Sequence, residues 1–162
     1  MIKIIVAVDE KGAIGRNNEL LYHIKDDLKN FKSLTSGNVV VMGRNTWESL
    51  PIKPLPNREN IVLTTTNKKL NGAKVINSFD ELENYLKDTE KDIYIMGGAS
   101  IYNQVMESKL VDEAHVTFVK DIVEDADTFI SIDNLKELLP RENYVTTFEQ
   151  DDLKADYIIL SK

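Results

Sequence analysis

The strand-to-helix junction that decides the fold class lies at residues 93–102, IYIMGGASIY. Four apolar or aromatic residues predict a buried strand, the glycine pair Gly97-Gly98 predicts a tight turn, and the residues after it predict a helix. At such a junction the free backbone N–H groups and the helix dipole favour a bound pyrophosphate. A strand-to-helix turn also needs glycine for its geometry alone. The stretch therefore indicates an α/β protein and leaves a phosphate site as one of two interpretations.

A second junction of this kind lies at residues 40–48, VVMGRNTWE. Here Gly43 separates a predicted strand from a helix whose first residues include Arg44 and Thr46. Two helix starts and a cation would suit the two ends of a dinucleotide. The alternative is a solvated arginine. We expect Trp47 to be a core residue, because a tryptophan on a short helix usually serves packing.

Short β-branched runs alternate with helical patterns along the whole chain, as in α/β proteins. Strands are predicted over 2–8, 39–42, 60–65, 73–76, 93–96 and 113–119, with a closing antiparallel hairpin over 144–149 and 157–160. Helices are predicted over 24–34, 44–50, 79–86 and 99–106, the third preceded by a capping box at Ser78. No repeat or linker divides the chain, so we expect one domain over 1–162.

Composition narrows the class of protein. The 162 residues carry 20 basic and 27 acidic side chains, and a net charge of −7 argues against nucleic acid or an anionic membrane as the main partner. The lack of cysteine excludes disulfides and thiolate chemistry. No segment approaches membrane length and residues 2–8 are too short for a signal sequence, so we expect a cytoplasmic protein. Neither His23 nor His115 is spaced with acids as metal ligands are, so no metal is expected.

Asp27 places a carboxylate on the apolar face of the helix predicted over 24–34. Ile24 and Phe31 lie on the same face at helical spacing, whereas Asp26 lies on the polar face. Burying a polar group without a partner costs roughly 2–7 kcal/mol, so a ligand that donates hydrogen bonds or carries positive charge is one explanation. The other is the helix dipole, which favours acids in the first turn, and this stretch alone favours that second explanation.

Arg58 is one of only four arginines in the chain. It follows Pro54-Leu55-Pro56-Asn57, where two prolines restrict the backbone and so hold the following cation more rigidly than an open loop would. Such a guanidinium suits a carboxylate. A solvated surface arginine is the alternative.

Together these segments resemble bacterial dihydrofolate reductases, and the similarity extends from the first strand to the final hairpin. The residues that carry it are Val6-Ala7, Ala13-Ile14-Gly15, 27–31 (DLKNF), 41–49 (VMGRNTWES), 54–58 (PLPNR), Met96-Gly97-Gly98, Ile101-Tyr102, Thr117 and 127–129 (DTF). The resemblance implies a single-domain, three-layer α/β fold, with a mixed, mainly parallel eight-stranded sheet, a C-terminal antiparallel hairpin and four flanking helices. It also implies a protein that uses NADPH to reduce 7,8-dihydrofolate to tetrahydrofolate for one-carbon metabolism. Nothing in the sequence demands more than a monomer, so we expect one.

The resemblance further implies roles for individual residues. Asp27 would bind the 2-amino group and N3 of the pterin and favour protonation at N5 through water, with Thr117 supporting it and Tyr22 near that water. The other residues implied to bind substrate are Val6, Ala7, Leu28, Phe31, Leu50, Leu55, Met96 and Tyr102, with Arg58 on the glutamate α-carboxylate. Those implied to bind the cofactor are Ala7, Ile14, Gly15, Asn18, Gly43, Arg44, Asn45, Thr46, Leu63, Thr64, Thr65, Asn77, Met96, Gly97, Gly98, Ala99, Ser100, Ile101, Tyr102, Gln104 and Thr128. Of these, Arg44, Thr65 and Thr64 would hold the adenosine 2′-phosphate, and the Gly97–Gly98 bond is implied to be cis.

The chain departs from the family pattern before its first helix. Residues 20–25 read LLYHIK, where the family usually has Leu-Pro-Trp and another proline shortly after. Tyr22 therefore replaces an indole N–H with a hydroxyl, and the loss of two prolines is expected to loosen the loop over the nicotinamide. Asn77 and Ser100 stand where some relatives carry cations. The preference for NADPH over NADH is then expected to depend mainly on Arg44.

Two other functions remain to be weighed. One is a reductase of the same fold that acts on a pyrimidine in riboflavin synthesis, against which Asp27, Phe31 and residues 54–58 argue. The other is a non-catalytic NADP-binding module. The chain keeps the residues of both the cofactor half and the substrate half, which argues against a binding module.

Overall fold

The structure is a computed structural model and describes residues 1–17 and 19–162. Its strands are β1 (Ile2–Val8), β2 (Ala13–Arg16), β3 (Glu19–Leu20), β4 (Val39–Gly43), β5 (Glu59–Leu63), β6 (Lys74–Ile76), β7 (Ile93–Ile95), β8 (Glu113–Val119), β9 (Thr128–Phe129), β10 (Arg141–Gln150) and β11 (Leu153–Ser161). Its helices are α1 (Lys25–Thr35), α2 (Arg44–Ser49), α3 (Phe79–Leu86), α4 (Ala99–Ser108) and α5 (Ile132–Leu138).

Eight of these strands form one mixed sheet in the order β10-β11-β8-β1-β7-β4-β5-β6. Strand β1 pairs in parallel with β7 and β8, and β4 pairs in parallel with β7 and β5. The antiparallel pairs are β8 with β11 and β11 with β10, which form the C-terminal hairpin and its junction with the sheet. The predicted mixed, mainly parallel sheet with a terminal hairpin is confirmed.

Helices cover both faces of the sheet. On one face, α3, α4 and α5 bury apolar residues such as Leu82, Val105 and Leu135 against the sheet. On the other face, α2 packs Trp47 against Val40, Met42 and Val62, and Trp47 is only 4% exposed. The core position expected for Trp47 is confirmed, and the fold has the three layers that the resemblance implied. None of the helices in residues 1–17 and 19–162 is long and apolar enough to cross a membrane.

Two features go beyond the four predicted helices and eight predicted strands. The described residues contain a fifth helix, α5, which begins after Ser131, whose hydroxyl accepts a hydrogen bond from the backbone N–H of Asn134. They also contain a small antiparallel sheet in the order β3-β2-β9. Strand β2 pairs with β9, Ala13 with Phe129 and Gly15 with Thr128. The paired residues lie more than a hundred positions apart, so no local sequence pattern predicts this pairing.

Candidate active site

One large cleft opens at the carboxyl ends of the parallel strands, where α/β folds usually bind ligands. Ala7, Gly43, Leu63 and Met96 line it: Gly43 and Leu63 end their strands, Ala7 is one residue from the end of β1, and Met96 directly follows β7. The cleft has a volume of about 1510 Å³. A single drug-sized ligand usually occupies roughly 300–1,000 Å³, so the cleft has room for two ligands side by side.

Asp27 lies in the first turn of α1 and faces this cleft. Its Oδ1 accepts a hydrogen bond of 2.6 Å from the hydroxyl of Thr117 on β8. Burial raises the pKa of Asp27, and the hydrogen bond from Thr117 opposes that rise. The apolar face of α1 lines the cleft instead of a closed core, and Leu28 on that face is 44% exposed. This explains a carboxylate on an apolar stripe, although the helix dipole acts on Asp27 as well.

Arg58 is held near the same helix by three contacts. Its Nε donates to the backbone carbonyl of Pro56 at 2.8 Å, and a guanidinium nitrogen donates to the hydroxyl of Thr35 at 3.0 Å. The guanidinium carbon lies 5.8 Å from the centre of the Phe31 ring. Burial lowers the pKa of Arg58, but an arginine stays charged in proteins. The free donors of this fixed guanidinium can bind a carboxylate, and Lys32 lines the cleft nearby.

Arg44 begins α2 and provides positive charge in another part of the cleft. Its Nε donates to Glu48 at 3.2 Å, and a guanidinium nitrogen donates to the hydroxyl of Thr66 at 3.2 Å. The amide of Asn77 donates to the backbone carbonyls of Thr64 and Thr66, at 2.8 and 3.0 Å, and so holds this loop beside Arg44. A guanidinium and threonine hydroxyls together can bind a phosphate.

The glycines before α2 and α4 are joined directly by a backbone hydrogen bond. The backbone N–H of Gly43 donates to the carbonyl of Gly97 at 2.7 Å, and the Gly97–Gly98 peptide bond is cis, as the resemblance implied. Gly97 has φ +120°, which side-chain-bearing residues rarely adopt, and a Cβ on Gly98 would lie 3.8 Å from the hydroxyl oxygen of Thr46. Two adjacent helix starts with bare backbone, both lining the cleft, allow a pyrophosphate to approach closely, so these residues fit a dinucleotide.

All described residues for which the resemblance implied substrate or cofactor contacts, other than Tyr22, line this cleft. Asn18 lies outside the described residues. Some of the lining side chains already have partners within the protein. The hydroxyl of Tyr102 donates to the backbone carbonyl of Ile5 at 2.8 Å, and that of Ser100 accepts from Gln104 at 3.3 Å. Tyr102 therefore offers its ring to a ligand, while its hydroxyl is committed to β1.

Tyr22, which was expected near a water beside Asp27, has a partner of its own. Its hydroxyl donates to the Asp121 carboxylate at 3.1 Å, and its ring packs against the cluster of Ile24, Val119 and Ala155. Tyr22 is not among the described residues that line the cleft. The phenol proton is used in the hydrogen bond to Asp121, but the phenol oxygen can still accept from a water, so the expected water contact stays a prediction.

Several lining residues were missed by the sequence analysis, among them Asn30, Lys32, His115 and Tyr157. His115 had been given no chemistry, yet it lies two residues before Thr117 on β8, and alternate residues of a strand share a face. The two-residue alternation along β8 could therefore have identified His115 as a cleft residue. Tyr157 could not be found in this way, because its place opposite Thr117 depends on the pairing of β11 with β8.

Comparisons with known proteins agree with this geometry. Residues 1–162 match the family model described as dihydrofolate reductase. The dihydrofolate reductase of Neisseria gonorrhoeae is 41% identical over 133 residues, which cover 82% of this chain and 80% of that protein. The bifunctional dihydrofolate reductase-thymidylate synthase of Paramecium tetraurelia is 33% identical over 113 residues, 70% of this chain, and the match spans only 24% of that longer protein.

A solved dihydrofolate reductase structure also has the same fold as this chain. Dihydrofolate reductase from Enterococcus faecalis, complexed with NADP(H) and RAB-propyl, superimposes with a TM-score of 0.84 and 30% sequence identity. The superposition covers 99% of this chain and 95% of that one. Since the family model spans every residue and relatives agree in both sequence and fold, this chain belongs to the dihydrofolate reductase family.

Proposed function

We propose that this chain catalyses the NADPH-dependent reduction of 7,8-dihydrofolate to 5,6,7,8-tetrahydrofolate. A hydride is added at C6 of the pterin and a proton at N5. The observation that carries the proposal is Asp27, a partly buried carboxylate held by Thr117 in the wall of a cleft with room for two ligands. NADPH, when bound, supplies the hydride. The chain is thus an oxidoreductase of one-carbon metabolism.

The substrate half of the proposed site is built around Asp27. Its carboxyl group would take the 2-amino group and N3 of the pterin and so fix the ring in one orientation, which is a large part of what positioning contributes to a rate. Thr117 holds Oδ1 and thereby the rotamer of the carboxylate. Leu28 and Phe31 would exclude water from the ring. Val6, Ala7, Leu50, Leu55, Met96 and Tyr102 would complete this surface.

Arg58 would pair with the glutamate α-carboxylate of the substrate. Its guanidinium is already fixed by Pro56, Thr35 and the ring of Phe31, so little side-chain entropy remains to be lost on binding. Proton delivery to N5 would come from water in the cleft, with Tyr22, whose hydroxyl donates to Asp121, near that water.

The cofactor half is proposed to lie along α2 and α4. Arg44 would bind the 2′-phosphate together with Thr64 and Thr65, and the adjacent starts of α2 and α4, at Gly43 and Gly97-Gly98, would receive the pyrophosphate. Ala7 and Ile14 would contact the nicotinamide. The remaining contacts are proposed for Gly15, Asn45, Thr46, Leu63, Asn77, Met96, Ala99, Ser100, Ile101, Tyr102, Gln104 and Thr128, and for Asn18, which lies outside the described residues.

We further propose that residues 1–162 act as one domain, that the protein is a cytoplasmic monomer, and that it has no nucleic-acid or membrane partner. The net charge of −7 supports the absence of a polyanionic partner. A small-molecule substrate in an internal cleft requires no second subunit. Sedimentation of the purified protein tests the proposed monomer directly.

The function is tested by following the nicotinamide absorbance of NADPH with purified protein. Oxidation is expected only when dihydrofolate is present, and Asp27→Asn should remove most of it while NADPH still binds. Asp26→Asn is the matched control, because Asp26 is an exposed carboxylate in the same helical turn and should leave the rate unchanged. Lack of dihydrofolate-dependent oxidation by the wild-type protein would refute the proposal.

A further inference from the structure

Asn60 is a buried polar residue that has no part in the reaction as proposed. It is the second residue of β5, an interior strand between β4 and β6, and it is only 3% exposed. Its register partner Val40, and Val62 two residues further on, belong to the apolar cluster around Trp47. Alternate residues of a strand share a face, so an amide stands here in a row of apolar side chains. Burying such a group costs free energy unless its hydrogen bonds are made.

The side chain of Asn60 makes three hydrogen bonds to the backbone of the loop just before it. Its Oδ1 accepts from the N–H of Leu55 at 2.9 Å, and its Nδ2 donates to the carbonyls of Leu55 and Arg58, both at 3.0 Å. Both protons of the amide are therefore used. The opposite orientation of the amide would place its oxygen against two carbonyls, so the orientation is fixed. Asn60 thus pairs with Leu55 through one donor and one acceptor, as a residue of a neighbouring strand would.

The loop that Asn60 holds turns sharply at its middle. Pro54 and Pro56 have no backbone N–H, and Asn57 has φ +59°, in the left-handed region. The carbonyl of Asn57 accepts from the backbone N–H of Gly37 at 2.7 Å, which supports the turn from the end of α1. Asn60 connects the two ends of the same turn to the sheet, at Leu55 on one side and at Arg58 on the other.

Both residues that Asn60 holds line the cleft, whereas Asn60 itself does not. The guanidinium of Arg58 donates to the hydroxyl of Thr35 on α1, and that hydroxyl donates in turn to the carbonyl of Phe31 at 2.8 Å. Thr35 therefore fixes the guanidinium end of Arg58, while Asn60 fixes its backbone. The guanidinium reaches Thr35 only if the side chain starts from the right place, so the two contacts support each other.

We propose that Asn60 is a positioning residue for the tail of the substrate. By fixing the backbone of Leu55 and Arg58, it holds the guanidinium where it meets the glutamate α-carboxylate and holds Leu55 against the aminobenzoyl group. This inference rests on the proposed function, which assigns Arg58 to that carboxylate. Binding depends on such groups being held in place before the ligand arrives. Because Asn60 acts through Leu55 and Arg58, its removal should affect only substrates that have a tail.

The proposal is tested by steady-state kinetics of Asn60→Ala with two substrates, dihydrofolate and 6-methyl-7,8-dihydropterin, which has the pterin ring without the aminobenzoyl and glutamate groups. KM for dihydrofolate should rise by roughly three- to tenfold, the size expected from one weakened hydrogen-bonding contact, with kcat nearly unchanged. KM for the methylated pterin should not change. In an Arg58→Met background, Asn60→Ala should raise KM for dihydrofolate by no more than about twofold, because the two residues act through one contact.

Three results would overturn the proposal. They are an unchanged KM for dihydrofolate in Asn60→Ala, an equal rise in KM for both substrates, or a rise that is just as large in the Arg58→Met background. Asp112→Ala is the matched control, because the Asp112 carboxylate also braces a distant backbone segment, accepting from the N–H of Ile2 at 2.9 Å, and does not line the cleft. It should lose stability and keep KM for both substrates.

A second measurement needs no variant and so does not depend on how well Asn60→Ala folds. In the wild-type protein, hydrogen exchange followed by NMR should show the two side-chain amide protons of Asn60 protected from solvent. Bound folate should slow their exchange further, because it engages Arg58, whereas bound 6-methylpterin should not. Rapid exchange, or equal slowing by both ligands, would contradict the proposal. A wild-type protein that reduces dihydrofolate while Asn60→Ala keeps its KM would remove this inference alone.

Discussion

Asp27 has a raised pKa because folding removes water from it, although Thr117 donates it a hydrogen bond. For an acid whose pKa is raised on folding, the native state binds its proton more tightly than the unfolded chain does. The resulting stabilisation is fully present below the unfolded pKa, near 3.8, and is lost as pH rises through the folded pKa. Asp27 thus lowers stability at neutral pH relative to an uncharged side chain.

Asp27→Asn is therefore expected to become more stable relative to wild type as pH rises from about 4 to about 7. The asparagine oxygen can still accept the hydrogen bond of Thr117, so only the charge is removed. Urea unfolding at several pH values measures the difference. Asp26→Asn should give a profile parallel to wild type, because Asp26 is exposed. A constant difference between Asp27→Asn and wild type would show that Asp27 does not titrate differently on folding.

Arg44 is the residue on which cofactor selectivity should depend. Among the described lining residues, Lys32, Arg44 and Arg58 are the only lysines and arginines, and Lys32 and Arg58 belong to the proposed substrate half. Arg44→Met is expected to weaken NADPH binding by roughly tenfold or more, because hydrogen bonds to a charged group contribute about 1.5–3 kcal/mol. NADH lacks the 2′-phosphate, so its binding should change much less. Fluorescence titration with both cofactors measures this, and Arg58→Met should leave both affinities unchanged.

At the scale of elements, α3 is fixed by a capping box next to the cofactor half. The hydroxyl of Ser78 accepts from the backbone N–H of Glu81 at 3.1 Å, and the Glu81 carboxylate accepts from the backbone N–H of Asn77 at 2.9 Å. Asn77 in turn ties down the loop of Thr64 and Thr66. The cap thus connects the start of a helix to the loop beside Arg44.

Ser78→Ala should cost about 0.5–2 kcal/mol of unfolding free energy, the usual effect of removing an N-cap, and should also weaken NADPH binding. Ser131→Ala is the matched variant, because Ser131 caps α5 in the same way, with 3.2 Å to the N–H of Asn134, and does not line the cleft. It should lose similar stability and keep cofactor affinity. Chemical unfolding and cofactor titration separate the two effects. If both variants lost NADPH affinity equally, the α3 cap would have no specific effect on the cofactor site, and the prediction would be wrong.

The elements that the sequence predicted are those with local signals. Helix α3 was predicted with its observed bounds because the capping box and helical spacing both lie within the segment. Strands β2 and β9 were not predicted, since they have four and two residues and are defined by their pairing with each other. Helix α5 had a usable signal, Ser131 followed by Leu135 and Leu139 at helical spacing, but its seven residues span barely two turns.

In the candidate site, too, the residues that belong to local motifs were predicted, whereas contacts between residues far apart in the sequence were not. Asp27, Arg44, Arg58 and the pair Gly97-Gly98 were predicted because each lies in a short motif whose residues act together. The hydrogen bond of Tyr22 was not predicted, because its partner, Asp121, lies 99 positions along the chain and is brought near only by folding. The link from His115 to Tyr157 spans 42 positions and depends on strand register. Motifs therefore predicted which residues form the cleft, and long-range contacts decide how its polar groups are oriented.

For the whole molecule, the two halves of the cleft predict two independent gains in thermal stability. A ligand that binds only the native state at a hundred times its dissociation constant adds about 2.7 kcal/mol. For a chain of this size each kcal/mol raises Tm by about 2–4 °C, so NADPH or folate alone should each raise Tm by about 5–11 °C. Arg44→Met should reduce the shift caused by NADPH and spare that caused by folate, whereas Asp27→Asn should do the reverse. Scanning calorimetry with each ligand measures these shifts. If NADPH stabilised the wild-type protein while folate did not, the cleft would be a cofactor site alone, and the assignment of Asp27 to a pterin would fail.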